Sequence, residues 1–257
     1  MKGARLIFWR LLVVIIILGT WQGLSGPVFS SFWVSRPSTI VIWLRNAILN
    51  GTLGSDLLIT AKETVYGYLV GAAGGLMLAF VLAQSERAAL VLRPFILAIY
   101  GIPRIALAPL FVLWFGIALT SKVMMAALVT LLLVFFNTYE GIRSANPELR
   151  NVALVMDANR WQLFWNVTLP DASPWILAGL RISIPQALVG AVVAEFIAST
   201  GGLGYLIMDT TSTLDSAGTM AGIIILMLVV LLLGTILDRI EGRLLRWRPQ
   251  QNGTRKR

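Results

Sequence analysis

The chain has no cysteine and no histidine among its 257 residues. Disulfides, thiol nucleophiles, cysteine or histidine metal sites, histidine-ligated haem and any catalytic triad that needs imidazole are therefore excluded. No glycine is followed directly by lysine, so the Gly-Lys-Ser/Thr signature of a P-loop is absent and the chain does not bind ATP by that route. Charged residues make up only 13% of the sequence, whereas soluble domains have about 25%. The sequence lacks the polar surface that an ordinary water-soluble enzyme needs.

Apolar and aromatic residues make up 57% of the chain, and its formal net charge is +9. Such a composition is satisfied by a lipid bilayer. A charge of this size would suggest a nucleic-acid partner in a soluble protein. Here the cations flank apolar runs, which is typical of the cytoplasmic side of a membrane protein. We therefore expect contact with lipid and no nucleic-acid partner.

The apolar runs predict an all-α membrane protein, a single domain over residues 1–257 with six transmembrane helices. The predicted spans are about 6–24, 65–83, 94–120, 121–140, 174–199 and 220–237. The polar stretch 141–173 is a long loop, and 238–257 is a basic tail. A cleavable signal peptide is the alternative for the first run, but residues 19–24 contain no Ala-x-Ala site, which favours a retained helix.

The distribution of cations predicts the orientation. The N-terminal flank, the loop after the second span, the loop after the fourth span and the tail together carry 15 of the 21 Lys and Arg residues. These four regions lie on one side of a six-span protein. The positive-inside rule therefore predicts that both termini are cytoplasmic.

Two further patterns concern packing and the outer surface. Gly67, Gly71 and Gly75 recur at four-residue spacing in the second span, which predicts a face that a neighbouring helix approaches closely. Residues 38–49 alternate apolar and polar side chains, which predicts a short helix in the outer interface.

The predicted cytoplasmic loop contains an amphipathic stretch at residues 151–170. Taken as one helix, it places Leu154, Ala158, Trp161 and Trp165 within about 60° of one another. On this pattern alone, a helix that rests on the inner leaflet is the simpler interpretation. The spacing of the other residues favours a different one. The stretch resembles the "EAA" loop of ABC importer permeases, with Ala153 at the second alanine, Val167 at the isoleucine and Leu169-Pro170 at the final Leu-Pro.

Other short sequence motifs resemble those of one branch of these permeases, the nitrate/sulfonate/taurine/bicarbonate group. This resemblance runs from about Gly54 to Arg248. The motifs are Ile102–Leu110, Leu113–Gly116, Asn137–Gly141, Arg160–Phe164, Gly179–Arg181, Ala194–Glu195, Gly202–Ile207, Asp238–Arg239 and Leu245–Arg248. No single motif is specific to this group, but the order and spacing of the motifs together are specific.

The resemblance implies a type I ABC importer (MetI-like) permease fold in a bacterial inner membrane, with a cytoplasmic coupling helix and no catalytic residue. It implies no cofactor on this chain, because ATP and Mg²⁺ would be bound by the partner ATPase. The implied partners are two ABC ATPase subunits, a second permease copy in a homodimer, and an extracytoplasmic solute-binding protein. The implied ATPase-coupling residues are Ala153, Asp157, Ala158, Arg160, Trp161, Phe164, Val167, Leu169 and Pro170.

The chain departs from the EAA motif at two places. Asn151 and Val152 replace Glu-Ala, which removes a charge, and Asp157 replaces the motif glycine. In the family that glycine lies in a turn between two short helices. Aspartate is one of the few other residues that adopt the left-handed conformation, and it is also a good N-cap. We therefore expect Asp157 to keep the turn and to cap a helix that starts at Ala158.

Charges and prolines inside the spans are the candidates for the substrate path: Pro103, Arg104, Pro109, Arg181 and Glu195. A charge at the membrane centre usually faces a partner or a water-filled path. For Arg181, snorkelling to the inner interface is an equal alternative, and Glu195 lies either at an outer gate or at the surface. Proline frees backbone carbonyls that can line a cavity or simply kink a packed helix. Arg104 in such a path would favour anions.

The sequence leaves several functions open. The resemblance favours import of a small anion such as nitrate, a sulfonate, taurine or bicarbonate, and within the family a thiamine precursor or another heterocycle is the alternative. An ion-coupled secondary transporter or channel would need acidic pairs at mid-membrane, for which Glu195 is the only clear candidate. A membrane enzyme would need serine–lysine or paired aspartate chemistry, but the acids cluster in the loops.

Overall fold

The computed structural model describes residues 2–30, 32–84 and 86–244, so the predicted basic tail lies outside the described residues from position 245 onward. The described residues form helices and no β-strand, which confirms the all-α prediction. The α-helices are α1 Lys2–Leu24, α2 Pro37–Leu49, α3 Thr52–Ala83, α4 Glu86–Gly101, α5 Ala108–Phe115, α6 Leu119–Arg143, α7 Pro147–Val155, α8 Arg160–Leu163, α9 Leu169–Ile197, α10 Leu203–Ser212 and α11 Ser216–Leu244. A 3₁₀ turn, Arg104–Leu107, precedes α5, and a π-helix, Phe164–Thr168, precedes α9.

Five stretches of the described chain are long and apolar enough to cross a membrane. They are Arg5–Leu24, Thr52–Ala83, Leu119–Arg143, Arg160–Ile197 and Ser216–Leu237. The run predicted as a third span, 94–120, is instead divided between the end of α4, the 3₁₀ turn and α5. The break follows Gly101, and Pro103 supplies no amide to continue a helix. This part of the chain is therefore a broken helical segment, with only a short apolar helix at Ile105–Phe115.

The described residues fall into two compact units. One comprises the described residues up to Ala61 together with Glu195–Leu228, and the other comprises the described residues of Lys62–Ala194 together with those from Val229 to Leu244. In the first unit, α2 lies where the alternating pattern predicts a short helix, with Ile40 and Ala47 buried. The Trp43 indole N–H donates to Asp215 Oδ2 at 2.8 Å, which fastens α2 to the residues before α11.

In the second unit, the predicted glycine face of α3 packs against α6. A Cβ atom on Gly71 would collide with the carbonyl oxygen of Ala127, and one on Gly75 would lie 2.7 Å from the carbonyl oxygen of Leu131. Gly67 is in equally close contact with Ala126. The small-residue pattern therefore marks a helix interface, as the spacing predicts.

Helix α9 reaches the other side of α6 in the same way. Gly190 lies so close that an added Cβ atom would be 3.0 Å from the Ala126 Cα atom. Ala126, Ala187 and Ala191 form one fully buried cluster between the two helices. Small side chains thus allow α6 to be packed closely by both α3 and α9, which makes it the centre of this unit.

Candidate functional site

The predicted coupling loop is a folded segment with a closed base. We call residues 147–170, from α7 to the start of α9, the coupling segment. Its first helix is capped by Asn146, whose side chain accepts from the Glu148 amide at 2.8 Å. The Asn146 amide in turn donates to Asp171 Oδ2 at 2.7 Å, which ties the start of the segment to the first turn of α9. Because both ends are joined, the segment is held as one piece rather than as a loose loop.

The turn in the coupling segment is built around Asp157. This residue has a φ of +55°, in the left-handed region. The Asp157 amide donates to the Leu154 carbonyl at 3.1 Å, and the Ala158 amide donates to the Ala153 carbonyl at 3.0 Å. These two bonds form a Schellman motif, in which this position is usually glycine. The expectation that Asp157 keeps the turn is confirmed, and a single helix over 151–170 is wrong.

The helix after the turn is capped by a different residue from the one expected. Helix α8 begins at Arg160, and its N-cap is Asn159, not Asp157. The Asn159 side chain accepts from the Gln162 amide at 2.9 Å, while the Gln162 side chain accepts from the Asn159 amide at 3.0 Å. This is a complete capping box. Asp157 cannot serve as the cap because its left-handed backbone ends α7, whereas an N-cap needs an extended backbone.

The two aromatic residues predicted to couple to an ATPase have different surroundings. Phe164 is half-buried and meets Phe80 of α3 edge-on, with ring centroids 5.6 Å apart. Trp161 is 70% exposed, and its ring contacts that of Trp165, with centroids 5.4 Å apart. Phe164 therefore anchors the segment to the rest of the unit, and Trp161 is presented outward.

The remaining predicted coupling residues divide in the same manner. Ala153, Ala158, Val167 and Leu169 are half-buried, whereas Asp157, Arg160 and Pro170 are exposed. Val155 and Met156 are not among the predicted coupling residues, yet they are 87% and 77% exposed. The sequence contains a signal for them. Two adjacent apolar residues lie directly before the turn in a polar loop, and ending a helix does not require apolar side chains. Together with Trp161 they give the coupling segment an exposed apolar surface.

Glu195 lies in the first unit, in a buried network and not at the surface. Its side chain is 1% exposed. Thr60 donates its hydroxyl to Glu195 Oε1 at 2.6 Å, and the Gly204 amide donates to Oε2 at 2.5 Å. The Thr60 hydroxyl oxygen also accepts from the Leu203 amide at 2.8 Å. Glu195 thus holds the start of α10, where backbone amides have no partner within the helix.

The glycine-rich turn before α10 is shaped by the same network. Gly202 has a φ of +108°, and a Cβ atom there would collide with the Glu195 carboxylate. Asp56 Oδ1 accepts from the Gly202 amide at 2.9 Å. Asp56 and Thr60 lie one turn apart on α3, and the sequence analysis singled out neither. The available signal was that two polar side chains at i, i+4 spacing lie on one face of the helix.

The other candidates for a substrate path lie in the second unit. A cavity of about 300 Å³ is lined by Ile102, Ile105, Met125, Val129, Gln186, Val189, Gly190 and Val193. The two isoleucines flank Pro103 and Arg104. Pro103 is exposed, and the side chain of Arg104 lies outside the described residues. Pro103 and Arg104 are thus adjacent in the chain to two residues that line the cavity. Gln186 is the single polar residue in its lining, and the sequence did not indicate it.

Arg181 and Pro109 are both exposed, and neither lines this cavity. Among the described residues, no three acidic side chains gather in a way that could hold a metal ion. The cavity is predominantly apolar and contains no paired acid and base among its lining residues. Its composition suits passage or packing rather than bond-making chemistry.

Comparisons with known proteins agree with this architecture. Residues 71–248 match the family described as "Binding-protein-dependent transport system inner membrane component". The putative aliphatic sulfonates transport permease protein SsuC of Bacillus subtilis is 37% identical over 244 residues, which cover 95% of this chain and 88% of that protein. The formylaminopyrimidine transport permease protein ThiX of Halalkalibacterium halodurans is 35% identical, with 84% and 86% covered.

A solved structure gives the same fold. The crystal structure of an amino acid ABC transporter with histidines superposes with a TM-score of 0.66 at 20% identity, and the match covers 78% of this chain and 97% of that one. The predicted MetI-like type I permease fold is thereby confirmed.

Proposed function

Because the chain belongs to the family of inner membrane components of binding-protein-dependent transport systems, we propose that its coupling segment is the docking site of a separate ATPase. The chain is a multi-pass inner-membrane permease subunit of an ABC importer and not an enzyme. Membership implies an ATPase partner and a solute-binding protein partner. It also decides against the alternatives of an ion-coupled transporter, a channel and a membrane enzyme.

The observation that carries the docking proposal is the exposed apolar surface of the coupling segment. Val155, Met156 and Trp161 are 87%, 77% and 70% exposed on a segment whose base is closed. Apolar side chains on a preorganised segment are the usual anchors of an interface, and tryptophan is the residue most enriched among them. Because Phe164 packs on Phe80, a displacement of the coupling segment would be transmitted to α3.

We propose the following assembly. Two ATPase subunits bind and hydrolyse ATP with Mg²⁺, and this chain holds no cofactor of its own. Two copies of the permease form one path, since the chain has few transmembrane segments for a complete one. With the broken helical segment as the sixth crossing, both termini are cytoplasmic, as the concentration of 15 of the 21 cations on one side supports.

The proposed substrate path runs along the broken helical segment between α4 and α5. Irregular backbone at membrane depth is tolerated where it lines a cavity, and Ile102 and Ile105 contribute to a cavity of about 300 Å³. Pro103, Arg104, Pro109 and Arg181 belong to this proposed path. Glu195 contributes differently, because its carboxylate is occupied in holding the turn before α10.

The proposed cargo is a small anion of the sulfonate kind. The support is the likeness to a relative named for aliphatic sulfonates, together with the expectation that Arg104 favours anions. A thiamine precursor is the second candidate, since another relative is named for formylaminopyrimidine.

The docking proposal is tested by co-purifying the permease with its ATPase. Trp161→Ala should weaken the association by roughly 30-fold, since an aromatic anchor contributes about 2 kcal/mol or more. The matched control is Trp33→Ala, because Trp33 is equally exposed, at 75%, and lies far outside the coupling segment in the sequence. Equal association of both variants with the ATPase would show that this surface is not the docking site.

A further inference from the structure

Two oppositely charged side chains are buried in the closely packed helices α3 and α6. Glu63 on α3 is 2% exposed, and Lys122 on α6 is 3% exposed. Both belong to stretches that are long and apolar enough to cross a membrane. A charge in such a stretch is costly unless it faces an opposite charge or water. The burial of these two side chains therefore calls for compensation of each charge inside the protein.

The register of α3 against α6 brings the two charges to the same level. A Cβ atom added to Gly67 would collide with the Ala126 Cβ atom, and one added to Gly71 would collide with the Thr130 Cβ atom. These contacts advance by four residues on both helices, so α3 and α6 run parallel. One turn earlier on each helix lies the oppositely charged pair. Residues four apart share a helix face, so the two charged side chains face each other across the same contact.

The ammonium group of Lys122 also holds the connection from α5 to α6. Its Nζ atom donates to the Ile117 carbonyl and, at 3.3 Å, to the Ala118 carbonyl. These two residues follow Gly116, the C-cap of α5. An ammonium group has three donors, which suffices for two carbonyls and one carboxylate. Lys122 can therefore bind the end of α5 and a carboxylate on α3 at the same time.

The position of α5 affects the cavity beside the broken helical segment. Ala108 and Phe111 of α5 form a buried cluster with Met125 and Val129 of α6. Those two α6 residues line the cavity, and so does Ile105 in the 3₁₀ turn before α5. A shift of α5 along α6 would therefore change the shape of the cavity.

We propose that Lys122 is a positioning residue for the substrate path: it pairs with Glu63 and thereby ties the end of α5 to α3. The pairing rests on burial and register, whereas its role in transport rests on the proposed function. Removal of one member of a buried ion pair leaves an uncompensated charge and is strongly destabilising. Replacement of both members by neutral side chains of similar volume is often harmless to stability. This difference makes the pair testable.

The first test is a double-mutant cycle on the purified full-length permease, read by thermal unfolding. Lys122→Met should lower the Tm by roughly 6–20 °C, because it leaves Glu63 buried without its cation. Glu63→Gln/Lys122→Met should regain about half of that loss or more, because neither charge remains. The matched control is Glu63→Gln/Lys62→Met, in which the two effects should add, since the neighbouring Lys62 is exposed.

Additive effects of Glu63→Gln and Lys122→Met would overturn the pairing. If Lys122→Met yields no folded protein, the yield of folded double variant replaces the Tm. Recovery of folded protein in the double variant then supports the pair, and its absence in both variants contradicts it.

The second test separates positioning from stability. It measures ATP-driven uptake of ethanesulfonate into proteoliposomes that contain the permease with its ATPase and solute-binding protein. Glu63→Gln/Lys122→Met should take up ethanesulfonate at least about tenfold more slowly than wild type although its Tm recovers, because the hydrogen bonds from a charged group to the end of α5 are lost. Lys62→Met makes the same substitution at the exposed lysine and should transport like wild type.

Unreduced uptake by the double variant would overturn the positioning role, even where the cycle supports the pairing. If the wild-type assembly shows no ATP-dependent uptake of ethanesulfonate, the proposed function or its proposed cargo fails instead. That result is distinct from a failure of the pairing, which the unfolding cycle decides without the ATPase or any solute.

Discussion

Substitution of Gly202 by alanine tests whether the turn before α10 is held in the way that the geometry indicates. The backbone of Gly202 has φ +108° and ψ 165°, a region that is essentially restricted to glycine. The new methyl group would also collide with the carboxylate of Glu195. The substitution therefore has two separable effects, a strained backbone and a displaced glutamate.

The size of each effect follows from the structure. Backbone strain of this kind costs about 1–3 kcal/mol. Displacement of Glu195 would break its bond with Thr60 or with the Gly204 amide, both of which are buried. A buried polar group that loses its partner costs about 1–3 kcal/mol. The sum is about 2–6 kcal/mol, which corresponds to a fall in Tm of roughly 5–20 °C for a chain of this size.

Two matched variants separate the effects in a thermal-unfolding assay of the purified protein. Gly51 has a φ of +76° and nothing within 4 Å of an added Cβ atom, so Gly51→Ala measures strain alone. Gly201 has no positive φ, and an added Cβ atom would lie 2.8 Å from the flexible end of Ile59, so Gly201→Ala measures a mild contact alone. Gly202→Ala should lower the Tm more than both together. A fall no larger than that of Gly51→Ala would refute the role assigned to Glu195.

Two further substitutions test the packing of α3 and the turn in the coupling segment. Gly71→Ala should cost about 1–3 kcal/mol or more, because the added Cβ atom would collide with the α6 backbone at Ala127. The Cβ atom of Gly74→Ala on the same helix would approach only the movable side chain of Leu131, so this variant should be milder in the same Tm measurement, and equal losses would contradict the α3–α6 packing. Asp157→Gly should raise the stability by up to about 1 kcal/mol, because a φ of +55° suits glycine better; a lower Tm would show that the aspartate side chain contributes more than the strain costs.

Local chemistry made several features of this protein predictable from its sequence. The glycines at positions 67, 71 and 75 lie at the α3–α6 contact because a four-residue spacing puts them on one helix face. Asp157 keeps the turn because aspartate tolerates the left-handed conformation. Both predictions depend on residues within a turn or two of each other, so no knowledge of the tertiary structure was needed.

Three other features depend on the tertiary structure, and of these only the assignment of the helix cap to Asp157 was a wrong prediction. Asp157 and Asn159 are both good caps, and only the geometry of the turn decided that Asn159 caps α8. The break in the predicted third span depends on where the chain leaves α4, and apolar composition by itself does not show this. Trp161 and Phe164 look equivalent as aromatic residues, but only one of them has Phe80 opposite it.

The sequence by itself determined the medium, the helical class and the family. A chain with 57% apolar residues and 13% charged residues is suited to lipid and not to water. The order of its short sequence motifs carries the resemblance to the permease family. Only the tertiary structure decided what Glu195 does. Thr60 and Glu195 are 135 positions apart and become partners because α3 and the end of α9 meet around the turn before α10. The role of a buried carboxylate is defined by its surroundings, and those surroundings exist only once the chain has folded.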